Sequence, residues 1–240
     1  MALSFWSKAG GFMSDLFKKK AGNIINDWLA SVNKPSAVYY TYKSGQKPIP
    51  VESCLTLDSE DMPYLQKEVE FIKANYLKPN YTNDDAAKAV LMWKTHRYPN
   101  WKYYQFDSIT YGVEEYWAKP AEFFKRQKGD CDDFSLVEYH LLGLLGVPIV
   151  RRRCVAGQVR YQNGNDGGGH AYVIYFSERW NDWVVIETTW YDDVSLLEYD
   201  KGVLWKGHSR YGSAWFTFNE EGAYSSSQSV IVNRDYFKKV

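Results

Sequence analysis

Gly129-Asp130-Cys131-Asp132-Asp133-Phe134-Ser135 opens an apolar segment in which Phe134, Val137, Leu141, Leu144 and Leu145 recur at spacings of three and four. That period predicts a helix. Gly146 stands where a helix C-terminus is capped, and Pro148 blocks further helical continuation. Asp130 can act as N-cap, which puts Cys131 in the first turn, where unpaired backbone N–H groups and the helix dipole favour negative charge. A free thiol titrates near about 8.5 and reacts as the thiolate, so a helix N-terminus and a nearby imidazolium are its usual activators.

Downstream the pattern changes period. Ile149, Arg151, Arg153 and Val155 alternate with Val150, Arg152 and Cys154, as in a strand whose edges or ends are partly solvated. Gly167-Gly168-Gly169 then leads into a second strand, His170 to Phe176, and Ser177 to Asp182 turns the chain into a third, Trp183 to Thr188. His170 thus opens one strand and Glu187 closes the next. In an antiparallel hairpin the two can lie side by side, so that a carboxylate orients an imidazole that faces the thiol. Asp182, Asp192 and Asp193 are the substitutes for Glu187, each also readable as a turn residue.

Five blocks are recognisable: Tyr111 to Phe124, with its Tyr116-Trp117-Ala118-Lys119-Pro120 core; Gly129 to Ser135; Leu144 to Pro148; Gly169 to Tyr172; and Phe216 to Gly222. In order and spacing, from roughly Ala86 to Tyr224, they resemble the bacterial transglutaminase-like cysteine peptidases. The resemblance implies an α+β, papain-like fold with the nucleophile at the N-terminus of a central helix packed on an antiparallel sheet. It also implies Cys131 as nucleophile, His170 as base and the residue at 187 as orienting acid. Glu187 stands where that family usually has Asp, and Ser135 replaces a usual Ala. A thiol-dependent hydrolase of peptide or isopeptide bonds follows from the resemblance, with a polypeptide substrate and no cofactor required for the chemistry. An amine resolving the thioester in place of water would make a cross-linker. A noncatalytic, assembly-linked module, phage or virion associated, is the competing class.

Acidic neighbours complicate the thiol. Helix-terminus stabilisation amounts to about 0.3–1 kcal/mol, whereas a carboxylate about 4 Å from the sulfur costs roughly 1 kcal/mol even at the dielectric of water. Asp130, Asp132 and Asp133 must therefore point away, pair with Lys125, Arg126 or an arginine of 151 to 153, or bind a cation. The resemblance implies calcium, carried over to Asp132 and Asp133. For the oxyanion, the backbone N–H of Cys131 is one donor, with Trp117 first and Gln127 second as side-chain candidates. Trp117 is equally readable as core.

The remaining chain bounds the reading. At 240 residues, 45% hydrophobic, with 29 basic against 29 acidic side chains, the charge balance does not favour nucleic acid. An aromatic content of 18% suits either a polypeptide groove or packing. Three cysteines without close spacing form neither a disulfide framework nor a zinc pattern, so Cys54 and Cys154 read as bystanders. His96, His140 and His208 lack a partner motif. Residues 1–60 read as an amphipathic arm and irregular connector, and 61–240 as the catalytic domain. In the arm Leu3, Phe5, Trp6, Phe12, Met13, Leu16 and Phe17 precede Lys18-Lys19-Lys20. No apolar run is long enough for a membrane span, and no secretory signal is seen. The arm therefore docks on the domain, meets a membrane surface or binds a partner protein, in a cytoplasmic or particle-borne chain.

Overall fold

A computed structural model describes residues 34–40, 49–113, 115–161, 163–187, 189, 198–225 and 229–232. Helices α1 (Asp61–Tyr76) and α2 (Asn83–Arg97) precede two single turns, α3 (Asn100–Tyr103) and α4 (Asp107–Thr110), then α5 (Pro120–Arg126) and α6 (Cys131–Leu144). Strands β1 (Lys34–Tyr40), β2 (Ile49–Pro50), β3 (Arg152–Arg160), β4 (Asp166–Ser177), β5 (Asp182–Ile186), β6 (Tyr211–Asn219), β7 (Gly222–Ser225) and β8 (Ser229–Val232) form one sheet in the order β2-β1-β7-β6-β3-β4-β5, with β8 on β1. Every pairing is antiparallel except β1 with β8. This is the α+β arrangement that the resemblance implies.

Helix α6 is apolar on almost every side, which is the signature of an internal helix. Phe134, Leu136, Val137, Leu141 and Leu142 are fully buried in the cluster that also holds Val69 of α1, Trp93 of α2, and Cys154 and Val173 of β3 and β4. The opposite sheet face is covered as well: Val155, Tyr172, Ile174 and Trp183 pack with Trp205 and Tyr211 in a second cluster. With both faces covered, the central strand β3 is buried along most of its length.

Three expectations are corrected. Residues Ile149–Arg151 form a tight 3-10 turn after Pro148, closed by Arg151 N–H on the Pro148 carbonyl at 2.9 Å, and the strand begins only at Arg152. Arg152 and Arg153 are buried. Arg152 donates to the Tyr139 carbonyl at 3.0 Å, while Arg153 donates to the Gly222 carbonyl at 2.7 Å and lies over the Tyr224 ring. Ahead of residue 60, β1 pairs with β7, and Val51, Cys54 and Leu55 are buried in the main core. Residues 1–33 lie outside the described residues, as do Asp192 and Asp193. Gly167-Gly168-Gly169 belongs to β4 itself.

Candidate active site

Cys131 is the first residue of α6, with Asp130 as N-cap. Asp133, three residues on, accepts the Asp130 N–H at 3.3 Å, a capping arrangement that fixes where the helix starts. Gly129 is required by the same packing. A Cβ there would lie 2.8 Å from Asp133 Cβ and 2.9 Å from the Phe123 ring. A parallel bridge between Tyr104 and Gly129, reinforced by Gln105 N–H on the Gly129 carbonyl at 2.8 Å, holds the segment that leads into Cys131.

The sulfur faces the middle of β4, where the Ala171 N–H hydrogen-bonds to it, so His170 sits within the strand and does not open it. His170, the preceding residue, pairs with Gly157 of β3. Its Nε2 lies 3.1 Å from Glu187 Oε1, with both side chains almost fully buried. The structure thus brings Cys131, His170 and Glu187 to one place. Glu187 is well satisfied: Oε1 accepts the Thr189 N–H at 2.6 Å and the Thr189 hydroxyl at 2.5 Å, and Oε2 accepts the Tyr211 hydroxyl at 3.0 Å. Burial by itself would raise this carboxyl, but the His170 charge and the hydrogen bonds from His170 and Thr189 outweigh it and bring the pKa down to about 2. Asp182, a substitute on sequence grounds, starts β5 opposite Ser177, at the other end of the hairpin.

The other flank of Cys131 is acidic. Oxygens of Asp107, Asp130 and Asp133 lie within 4.8 Å of one another, as do ligand atoms of Asp130, Cys131 and Asp132. Some of these carboxylates have protein partners. The Tyr116 N–H meets Asp107 Oδ2 at 2.5 Å, and the Ala118 N–H meets Asp133 Oδ1 at 2.8 Å. Others do not: Asp107 Oδ1, Asp130 Oδ1 and Asp132 Oδ2 are buried without a hydrogen-bond partner among the described residues. Burial, then the Asp130 charge, pushes Asp107 up to about 8 and raises Asp132 and Asp133 strongly. Burial raises Glu115 to about 7. The Cys131 thiol goes up for the same reasons, burial first and then the Asp130 charge.

The cations that the sequence offers as partners are committed elsewhere. Lys125 pairs with Glu60 at 2.6 Å, Arg126 donates to the Thr110 carbonyl at 3.2 Å, Arg151 pairs with Glu178 at 2.7 Å and Arg152 with Glu220 at 3.4 Å. Arg153 is on Thr217 and Gly222. Three buried orphan oxygens within a knot of acids are the chemistry of a hard-cation site, since calcium takes carboxylate and carbonyl oxygens. The orphan oxygens belong to Asp107, Asp130 and Asp132, whereas both Asp133 oxygens already accept backbone N–H groups.

The side-chain oxyanion candidates sit as follows. Trp117 Nε1 donates to Glu115 Oε1 at 2.7 Å while its ring packs against Phe218. Gln127 is the left-handed C-cap of α5. His140 is buried and held down to about 3, by burial first and then by Arg152 and Lys119; His208 pairs with Glu198 at 3.2 Å; His96 lies against Tyr76. Cys54 and Cys154 are buried free thiols.

Several site residues escaped the sequence. Asp107, Tyr211 and Asn100 reach the site only through tertiary packing. Thr189 left a signal: the register that pairs Val173 with Ile186, carried three residues further, sets position 189 opposite His170.

No family model matches the chain, and no curated protein matches it. Among solved structures it is similar to calcium-bound LapG of Legionella pneumophila, at 17% identity and a TM-score of 0.46, over 78% of this chain and 94% of that one. EGTA-treated Legionella pneumophila LapG aligns at 18% identity with a TM-score of 0.46, over 75% of this chain and 87% of the other.

Proposed function

We propose that this chain is a thiol-dependent hydrolase of peptide or isopeptide bonds, working through Cys131, His170 and Glu187. The observation that carries the reading is the His170 Nε2 contact to Glu187 Oε1 at 3.1 Å, beside a sulfur at the first turn of α6. The sequence resemblance to transglutaminase-like cysteine peptidases supports it. Because Glu187 engages Nε2, Nδ1 is the nitrogen assigned to the thiol proton. The thiolate attacks the carbonyl carbon, and His170 passes the proton to the leaving amine as the C–N bond breaks. Water then adds to the thioester with His170 as base, releasing the acid and restoring the thiol. The Cys131 N–H, one of the unpaired donors of a helix start, is the backbone candidate for the oxyanion. Glu187 remains ionised throughout and stabilises the imidazolium.

Asp107, Asp130, Asp132 and Asp133 would hold a calcium ion, and the chemistry the ion supplies is neutralisation of charge beside the thiol. Without neutralisation the same carboxylates oppose thiolate formation. A noncatalytic module is the second reading, and the raised Cys131 thiol is what favours it.

One experiment decides between them: the pH dependence of Cys131 alkylation by iodoacetamide, in calcium and in chelator, for wild type and His170→Ala. A low-pKa thiolate that needs His170 supports the hydrolase. An ordinary profile, identical in both proteins and indifferent to calcium, supports the module.

A further inference from the structure

Glu187 and Thr189 lie beyond the last paired residue of β5, Ile186, so the sheet ladder does not hold them. Yet Thr189 supplies two of the donors on Glu187 Oε1, and its hydroxyl lies 3.3 Å from His170 Nε2. Something outside the sheet must fix Thr189. Its carbonyl accepts the Asn100 side-chain N–H at 2.7 Å, from the turn that follows α2. The Asn100 oxygen in turn accepts Lys94 Nζ at 2.6 Å. An ammonium has donors only, so it can face only the oxygen of a carboxamide, and this decides which end of Asn100 points at Thr189. Lys94 is fully buried, and its Nζ sits 4.3 Å from the centre of the Phe134 ring, on the helix that carries Cys131. Burying a charge is costly unless it is compensated. Here its compensation joins the nucleophile helix to the loop bearing the orienting acid.

We propose that Lys94, Asn100 and Thr189 form a positioning relay that sets the Glu187–His170 geometry, a proposal that rests on the triad reading above. Lys94 fixes the rotation of the Asn100 carboxamide, Asn100 fixes the Thr189 backbone, and Thr189 fixes the carboxylate. Thr189 approaches the imidazole at Nε2, not at the nitrogen assigned to the thiol proton, so the three act as positioning residues. The relay acts on the hydrogen bond that the His170 Nε2–H donates to the Glu187 carboxylate.

The test uses the full chain with two readouts: the iodoacetamide rate at Cys131, and side-chain ¹⁵N shifts of His170, which report the nitrogen that carries the proton. Asn100→Asp keeps the Lys94 contact but replaces the donor to Thr189 with an oxygen. It should lower the alkylation rate about 10- to 100-fold, the scale of a small misplacement of reacting groups, and should mix the His170 tautomers. Lys94→Met keeps the apolar stem and should produce the same tautomer mixing without lowering the melting temperature, which separates positioning from support of the fold. Thr189→Val should behave like Asn100→Asp, and Thr189→Ser should restore the wild-type shifts. Unchanged His170 shifts in both Asn100→Asp and Thr189→Val would overturn the relay, even if alkylation still depends on His170. If His170→Ala leaves alkylation unchanged while the relay variants still mix the tautomers, the relay stands and the hydrolase reading falls.

Discussion

Glu187 and Asp133 are both buried carboxylates on either side of Cys131, and their surroundings drive them in opposite directions. Glu187 accepts from His170, Thr189 and Tyr211, and is held down to about 2. Asp133 shares its pocket with Asp107 and Asp130 and is raised, burial first and the Asp130 charge second. Burial alone therefore does not decide a carboxylate's state. One flank is internally compensated by donors the fold supplies, and the other is a set of like charges in which three buried oxygens have no hydrogen-bond partner among the described residues.

The sharpest way to break this comparison is to remove the imidazole. Since a positioned general base contributes about 10²–10⁴-fold, His170→Ala should slow Cys131 alkylation at neutral pH by about 100-fold or more in calcium. Equal rates would mean that the compensated flank does not serve the thiol.

Stability against pH tests both flanks at once. Asp107 has a folded pKa of about 8 against an ordinary 3.8, so its contribution is complete below about 4 and is lost as pH rises through 8. Glu187 is depressed from 4.5 to about 2, so its contribution is present above about 4.5 and is lost as pH falls through 2. In chelator, thermal unfolding should show melting temperature falling from pH 4 to 8. Asp107→Asn should make that arm shallower, the rest of it belonging to Glu115, Asp132 and Asp133, and leave the acid arm in place. A flat profile in the unmodified protein would refute the like-charge account.

Calcium at a hundred times its dissociation constant should stabilise by about 2.7 kcal/mol, or roughly 5–10 °C for a domain of this size. The shift should vanish in Asp132→Asn combined with Asp133→Asn. An identical shift in that double variant would place the ion elsewhere.

The smallest expected change belongs to Tyr211→Phe, which strips one donor from Glu187 Oε2. A hydrogen bond to a charged group contributes about 1.5–3 kcal/mol, part of which solvent can restore. Denaturant unfolding at pH 7 should show a loss within that range, with His170 still required for alkylation. No loss would mean that His170 and Thr189 suffice to hold the carboxylate.

Local chemistry made much of the site legible. The cysteine helix was readable from the spacing of Phe134, Val137 and Leu141, and its start from the Asp130 cap. The β4–β5 hairpin, which sets His170 beside Glu187, was readable from period-2 alternation around a turn. The alternating Arg pattern at Arg152 and Arg153 looks solvated in sequence, because the partners Glu220, Thr217 and Gly222 lie 64–69 residues later. Asn33 to Pro50 reads as a connector with a short strand at Val38 to Tyr42, and so short a strand, β1 in the structure, carries too few residues to declare its pairing with β7.

The sequence by itself determined the helix that starts at Cys131 and the hairpin that carries His170 and Glu187, since each follows from contacts within a few residues or across one turn. Only the tertiary structure decided how the carboxylates are treated. The Asp107 N–H reaches Asp130 over 23 residues of chain and Tyr211 reaches Glu187 from a strand on the far side of β3, while Lys94 reaches Thr189 through Asn100. The physical reason is the short range of hydrogen bonds and of charge compensation inside a protein. A few ångströms separate a carboxylate held near 2 from one driven to 8, and those ångströms are set by residues far apart in the chain.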